Sequence, residues 1–148
     1  MNTRPPVAET ERVDQVLFAE TLATALARGE AVILRVQGVS MLPWLREGMP
    51  VRIRPLAGRR LHRGDIALFW RTPGQPILHR VVRTHFAEGI YECLGDAEHG
   101  EPERVAETAV IGAVDLSAVG RWAYRLLHPA RRWINRFCRR RGVRLRHD

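Results

Sequence analysis

The sequence predicts a mainly antiparallel β domain with one helix before it and one basic helix after it. Three observations lead to this fold class. Short apolar runs recur about every 10 to 15 residues between turn-forming residues, which is typical of antiparallel strands. The apolar period is helical near the start and becomes helical again from Ser117. A chain of 148 residues, 45% of them hydrophobic, holds enough material for one core.

The first predicted element is an amphipathic helix over residues 10–28, which Gly29 ends. Its apolar residues recur at three- and four-residue steps, and we expect this face to cover a sheet. They are Val13, Val16, Leu17, Leu22, Ala25 and Leu26. Residues 1–8 are predicted to be a flexible N-terminus, because Pro5 and Pro6 oppose regular structure.

Six strands are predicted within a domain that spans residues 9–116 together with the leading helix. The turn formers of residues 72–76 predict a hairpin between the third and fourth strands. Residues 95–103 contain four acidic residues and two glycines and are predicted to be an acidic loop. The predicted strands are 31–36, 50–55, 65–70, 77–83, 90–94 and 110–114.

The positive charge of the chain is concentrated in its last part. Residues 1–116 contain 14 Arg against 15 Asp and Glu, whereas residues 117–148 contain 10 Arg against one acid, Asp148. A nucleic-acid-binding domain carries its basic residues on the folded body, so nucleic acid is not an expected partner. Within residues 117–146, Trp, Phe and Leu lie opposite Arg at helical spacing, which is typical of a helix at an anionic membrane surface. An equally favoured alternative is a helix packed on the β domain.

Neither a metal nor an organic cofactor is expected. Cys93 and Cys138 lie far apart, and no pair of His or Cys has the spacing of metal ligands. The first residues carry acids where a signal peptide is basic and apolar, and no run of about 18 apolar residues occurs. The expected location is the cytoplasm, with peripheral attachment to the inner face of the membrane through residues 117–146 as an option.

Residues 38–43, Gly-Val-Ser-Met-Leu-Pro, indicate a displayed serine, because they directly follow an apolar run and contain residues that shape a turn. The alternative is that Ser40 caps the helical turn of residues 41–47. A serine nucleophile needs a base, and the chain has no lysine, so a Ser–Lys dyad is excluded. His79, inside an apolar run, is the best candidate for the base. The alternative is a histidine that belongs to the core.

Five motifs occur in an order that resembles the signal peptidase superfamily of serine peptidases. They are Gly38-x-Ser40-Met41-x-Pro43 with Gly48, Arg63-Gly64-Asp65-Ile66, His79-Arg80-Val81-Val82, Gly95-Asp96 and Ile111-Gly112-x-Val114. The resemblance covers about residues 31–114 and implies a signal-peptidase-like, antiparallel β peptidase fold. Bacterial signal peptidases and SOS-repressor autopeptidases have a lysine base at the place of His79. The chain is more similar to the histidine-type branch of archaea and the endoplasmic reticulum.

This resemblance implies a role for each residue of the motifs. Ser40 would be the nucleophile and His79 the general base, with Gly38, Met41 and Pro43 shaping the turn. Asp96 would either orient the imidazole or pair with Arg80. Many histidine-type relatives have a further aspartate after Gly-Asp, and Glu101 is the acid we considered there. Many signal peptidases have a serine where this chain has Gly38, so the oxyanion hole would depend on backbone N–H groups, including that of Ser40.

The function that the resemblance implies is a serine endopeptidase that removes a leader or signal segment from a precursor protein. The substrate would bind as an extended peptide added to the sheet as a strand. Two alternatives remain: a catalytically inactive peptide-binding module of the same fold, and a regulator that cleaves itself. Self-cleaving repressors carry a DNA-binding region first, and we expect about 30 residues with one helix to be too few for one.

Overall fold

The computed structural model describes the backbone of residues 7–72 and 75–116, with side chains from Leu17 onward. These residues form one α-helix and seven strands in a single antiparallel sheet, which confirms the predicted mainly β fold class. The predicted basic helix and tail, residues 117–148, lie outside the described residues. Within the described part of the chain, no helix is both long and apolar enough to cross a membrane.

Helix α1 spans Val7–Ala27, so it begins three residues before the predicted start. Gly29 ends it as predicted, since Gly29 N–H bonds to Leu26 O at 3.1 Å and Glu30 N–H to Ala25 O at 3.0 Å. The buried face consists of Ala19, Leu22 and Leu26.

The prediction that Leu17 belongs to the apolar, sheet-covering face of α1 is wrong. Leu17 is 62% exposed, because it lies five residues before Leu22 and therefore about 140° around the helix from it. Ala19, three residues before Leu22, takes the buried position instead. The side chains of Val13 and Val16, also predicted for this face, lie outside those that the structure describes.

The seven strands agree closely with the six predicted, with one addition. They are β1 (Val32–Arg35), β2 (Pro50–Arg54), β3 (Ile66–Thr72), β4 (Gln75–His85), β5 (Ile90–Leu94), β6 (Glu103–Ala106) and β7 (Val110–Val114). The predicted hairpin is formed by β3 and β4. Strand β6 was missed because Val105 is its one fully buried residue, so no apolar alternation marks it.

The strand order is β1-β2-β7-β3-β4-β5-β6, so the last strand in the chain lies near the middle of the sheet. It pairs with β2 on one side and β3 on the other. Gly112 permits α1 to approach β7 here, because an added Cβ would lie 2.8 Å from Ile53 Cγ2 and 3.3 Å from Leu26 Cδ1. Strand β7 therefore joins the β1–β2 pair to the other four strands and lies against α1.

A core cluster of buried residues lies mainly on β3, β4, β5 and β7. Its buried members are Leu61, Ala67, Phe69, Val81, Tyr91, Cys93, Val105, Val110 and Ala113. Burial raises the pKa of the Cys93 thiol to about 12, so this cysteine is a neutral core residue. The cluster gives the central strands a close-packed platform, and β4 carries two of the predicted site residues on it, His79 and Arg80.

Candidate active site

Ser40 lies in a loop whose two ends are joined by the backbone. Val36 N–H bonds to Met49 O at 2.9 Å, and Gly48 N–H bonds to Val36 O at 2.8 Å, which extends the β1–β2 ladder past β1. Met41, 2% exposed, anchors the turn after the serine, and its carbonyl accepts the N–H of Leu45 at 3.0 Å. The Leu42–Pro43 peptide in this turn is cis. Ser40 itself is half-buried.

The position two residues before the serine requires glycine for a conformational reason. Gly38 has φ +78°, in the left-handed region, although an added Cβ would meet nothing within 4 Å. A serine there would be strained by about 1–2 kcal/mol through its backbone rather than by a clash. The backbone N–H of Ser40 donates no hydrogen bond to the described residues, so it is available to a ligand.

His79 lies in the centre of β4, opposite Ala67 of β3. Its side chain is 3% exposed, and its ring meets Phe69 edge-on with the centroids 6.2 Å apart. Its Nδ1 atom is buried and has no hydrogen-bond partner among the described residues. Burial lowers the pKa of His79 below its usual 6.5, and the charge of Glu98 partly offsets this. The imidazole is therefore neutral at neutral pH, as a general base must be.

The loop of residues 95–98 contacts both Ser40 and His79. Ala97 N–H bonds to the Ser40 carbonyl at 2.8 Å. Glu98 Oε2 accepts the Gly95 N–H at 3.1 Å and lies 3.7 Å from His79 Nε2. An added Cβ on Gly95 would lie 2.8 Å from the Ser40 carbonyl oxygen and 2.9 Å from Glu98 Cδ, so only glycine permits the loop to approach Ser40 this closely. The loop thus connects the serine turn to the imidazole.

The structure does not join Ser40 and His79 directly. Neither ring nitrogen of His79 forms a hydrogen bond with the Ser40 side chain, and the polar group that faces Nε2 is the Glu98 carboxylate. Both candidate residues contact the 95–98 loop, but their side chains form no hydrogen bond with each other. A catalytic step between them therefore requires a shift of one side chain or of the loop.

Two roles were considered for Asp96, and in the structure it pairs with Arg80. Arg80 Nε and Nη2 donate to the two Asp96 oxygens at 2.9 and 2.6 Å, and Arg80 Nη1 donates to Gly64 O at 2.8 Å. The two side chains are 3% and 4% exposed. This buried ion pair fixes the start of the 95–98 loop and the Gly64 turn to β4. Asp96 makes no hydrogen bond to the imidazole.

The residue that sequence reasoning missed is Glu98. Glu101 was the acid considered after Gly-Asp, but Glu98 is nearer to that motif and is the carboxylate beside His79. Its position follows from a turn in which Glu98 N–H bonds to Gly95 O at 3.0 Å while its side chain bonds back to Gly95 N–H at 3.1 Å. The sequence signal here was the glycine and acidic composition of residues 95–103, which predicts a loop but not this contact.

A second ion pair lies close enough to influence the imidazole. Arg71 of β3 donates three hydrogen bonds to Glu103 of β6, two from Nε at 3.1 Å and one from Nη2 at 2.6 Å, and both charges act on His79. Among the described residues, no group of three or more His, Cys, Asp or Glu side chains is arranged to hold a metal ion. The described site therefore consists of a serine, an imidazole and fixed carboxylates.

Comparison with protein-family models places residues 4–115 in the family described as Peptidase S24-like. The chain belongs to the Peptidase S24-like family. This match covers α1 and the whole sheet, and it confirms the resemblance to the signal peptidase superfamily. Membership of the S24-like family supports a peptidase-type protein at a coarse level. A search of curated proteins finds no match to the chain.

Proposed function

We propose that this Peptidase S24-like protein is a serine endopeptidase that cleaves a leader or signal segment from a precursor protein, with Ser40 as nucleophile and His79 as general base. The observation that carries the proposal is the 95–98 loop, which bonds to the Ser40 backbone through Ala97 and reaches His79 through Glu98. The neutral, buried imidazole beside it has the protonation state that a base needs.

In the proposed first step, the Ser40 Oγ attacks the scissile carbonyl carbon while its proton moves to His79. The carbon–oxygen π pair moves onto the carbonyl oxygen, and the backbone N–H of Ser40 is free to donate to it. His79 then gives the proton to the leaving amine as the carbon–nitrogen bond breaks. Water hydrolyses the acyl-enzyme in the same way. Catalytic hydrogen bonds are often long without substrate, so the Ser40–His79 bond would form when substrate closes the site.

The edge of the sheet offers a place for the substrate. Strand β1 is an edge strand of the described sheet, and its ladder with β2 continues to Val36, four residues before Ser40. Ile33 on β1 is 71% exposed, which leaves an apolar side chain beside the free edge. An extended peptide that pairs with β1 would run towards Ser40 and receive its register from backbone bonds. This arrangement supports a peptide substrate rather than a small molecule.

A second candidate function is peptide binding without turnover. The observation that favours it is the missing hydrogen bond between Ser40 and His79, together with an Nδ1 atom that is buried and has no partner among the described residues. In that case β1 would still accept a peptide strand, and His79 would be a core histidine. Activity measurements separate the two functions.

The test uses the fact that Ser40 and Ser117 are the two serines of the chain. A serine-directed fluorophosphonate should label the wild type and Ser117→Ala but not Ser40→Ala. With an extended peptide library as substrate, mass spectrometry should find products from the wild type and Ser117→Ala alone. His79→Ala should lower kcat/KM by about 10²–10⁴.

Each possible result has a clear meaning. Equal product from wild type and Ser40→Ala would exclude the nucleophile. Peptide binding by both proteins, with no product and no labelling from either, would establish the binding module instead. Spontaneous shortening of the purified chain, detected as a lower intact mass, would indicate self-cleavage.

A further inference from the structure

Three carboxylates act on His79, and among the described residues Glu98 is the one that forms no hydrogen bond with an arginine. Both oxygens of Asp96 bond to Arg80, and both oxygens of Glu103 bond to Arg71. Glu98 accepts a single hydrogen bond from Gly95 N–H, and the same oxygen lies 3.7 Å from His79 Nε2. Its side chain is 42% exposed, so it has room to rotate towards the ring.

The two ring nitrogens of His79 have different surroundings. Nε2 faces a carboxylate, whereas Nδ1 is buried with no partner in the described part of the chain. A buried N–H without an acceptor costs about 1–3 kcal/mol, so the proton of the neutral ring belongs on Nε2, where an acceptor is near. Nδ1 then carries a free lone pair.

We propose that Glu98 is a positioning residue for His79: its carboxylate holds the ring through Nε2 and stabilises the imidazolium that forms when His79 takes the Ser40 proton. This inference rests on the proposed peptidase function and adds the acid that the sequence did not identify. In this scheme the proton stays on His79 and is not passed to Glu98. The 3.7 Å contact shortens to a hydrogen bond as the loop closes on substrate.

The same loop gives Glu98 a purely structural task, and a test must separate the two. Glu98→Gln keeps an oxygen that accepts the Gly95 N–H but removes the charge beside His79. Glu98→Asp keeps the charge on a shorter side chain. Glu101→Gln is the matched control, because it removes one acid from the acidic stretch of residues 95–103 at an exposed position.

The experiment measures two quantities for the whole chain of each variant. The first is the pH profile of peptide cleavage, and the second is the pKa of His79 followed by NMR of its ring C–H signals. The charged groups that act on His79 are Glu98, Arg71, Glu103 and Asp96, and the variants change Glu98 alone. Glu98 raises the pKa of His79, so Glu98→Gln should lower it and move the acid limb of kcat/KM to lower pH.

For activity we expect Glu98→Gln to lower kcat by about 10- to 100-fold with little change in KM. Loss of the fully buried acid of a serine-protease triad costs about 10⁴, and the 42% exposure of Glu98 weakens its effect by solvent screening. Glu98→Asp should recover part of the loss, and Glu101→Gln should match the wild type.

The outcomes distinguish this inference from the proposed function. A Glu98→Gln variant with wild-type kcat and an unchanged pKa of His79 would overturn the inference while leaving the Ser40 peptidase intact. If no variant and no wild type cleaves peptide, the proposed function fails, and an unchanged NMR titration would then overturn the Glu98 contact as well. A kcat loss in Glu98→Gln without any movement of the acid limb would show a structural role in the loop, which also overturns it.

Discussion

The buried ion pair of Arg80 and Asp96 gives the sharpest stability prediction. Removal of one partner leaves the other charge in a site where the side chains are 3% and 4% exposed. Breaking such a pair costs about 3–5 kcal/mol, because the remaining charge loses its compensation and stays away from water. A domain of this size has about 5–15 kcal/mol of stability in total. We therefore expect Asp96→Leu and Arg80→Met each to lose about a fifth of it or more.

The double variant Arg80→Met/Asp96→Leu should be more stable than either single variant. It removes both charges and replaces them with apolar side chains of comparable volume, which is often close to neutral. One cost remains, since Gly64 O loses the hydrogen bond from Arg80 Nη1, at about 1–3 kcal/mol. The expected loss of the double variant is thus about 1–3 kcal/mol, well below the sum of the two single losses.

Urea unfolding followed by tryptophan fluorescence measures these values by linear extrapolation. The midpoint should shift while the slope stays constant, which shows that the change is in stability. Single variants that lose less than about 1 kcal/mol would refute the reasoning, because the charges would then be solvated in the folded protein. So would a double variant whose loss equals the sum of the single losses, because the two residues would then act independently.

Three further predictions concern the site and the basic segment. Because burial lowers the pKa of His79 below 6.5, the unfolded chain binds a proton that the folded chain does not. The free energy of unfolding should therefore fall as pH drops below about 6.5. Urea titrations at pH 7.5 and 5.5 measure this fall, and it should be smaller in His79→Gln. An equal fall in both proteins would contradict the assignment. Gly95→Ala should reduce kcat/KM for cleavage by about 10-fold or more, because a Cβ on Gly95 would lie 2.8 Å from the Ser40 carbonyl oxygen. Gly100→Ala should leave it unchanged, because a Cβ on Gly100 meets nothing within 4 Å. Equal kcat/KM for the two variants would show that the 95–98 loop has no part in cleavage. Residues 117–146 should bind the protein to anionic vesicles at low salt and release it as salt rises, and a failure to sediment at low salt would exclude this contact.

Much of the fold was predictable because it depends on local patterns. The strands at residues 90–94 and 110–114 match β5 and β7 in both bounds, since each is a short, mostly apolar run between turn signals. Gly29 ends α1 as predicted because its bonds involve residues within one turn. The limits of α1 and the exposure of Leu17 were less accurate, because the burial of a helix face depends on what lies against it.

The candidate site was predictable as a set of residue types but not as a set of contacts. Ser40 and His79 are candidates from chemistry, because a serine needs a base and the chain has no lysine. The partner of Asp96 remained open until Arg80 was seen to occupy both of its oxygens. Glu98 was missed because its distance to His79 depends on how the 95–98 turn folds over β4.

By itself, the sequence determined that this protein has a strand-rich domain with a leading helix, that Ser40 follows a predicted strand in a turn, and that no lysine can serve it as a base. These conclusions follow from periodicity, turn residues and side-chain chemistry, which act over short stretches of chain. Only the tertiary structure decided that β7 lies between β2 and β3, that Arg80 pairs with Asp96, and that Glu98 faces His79. The reason is that each of these contacts joins residues whose separation in space is set by the packing of the whole sheet.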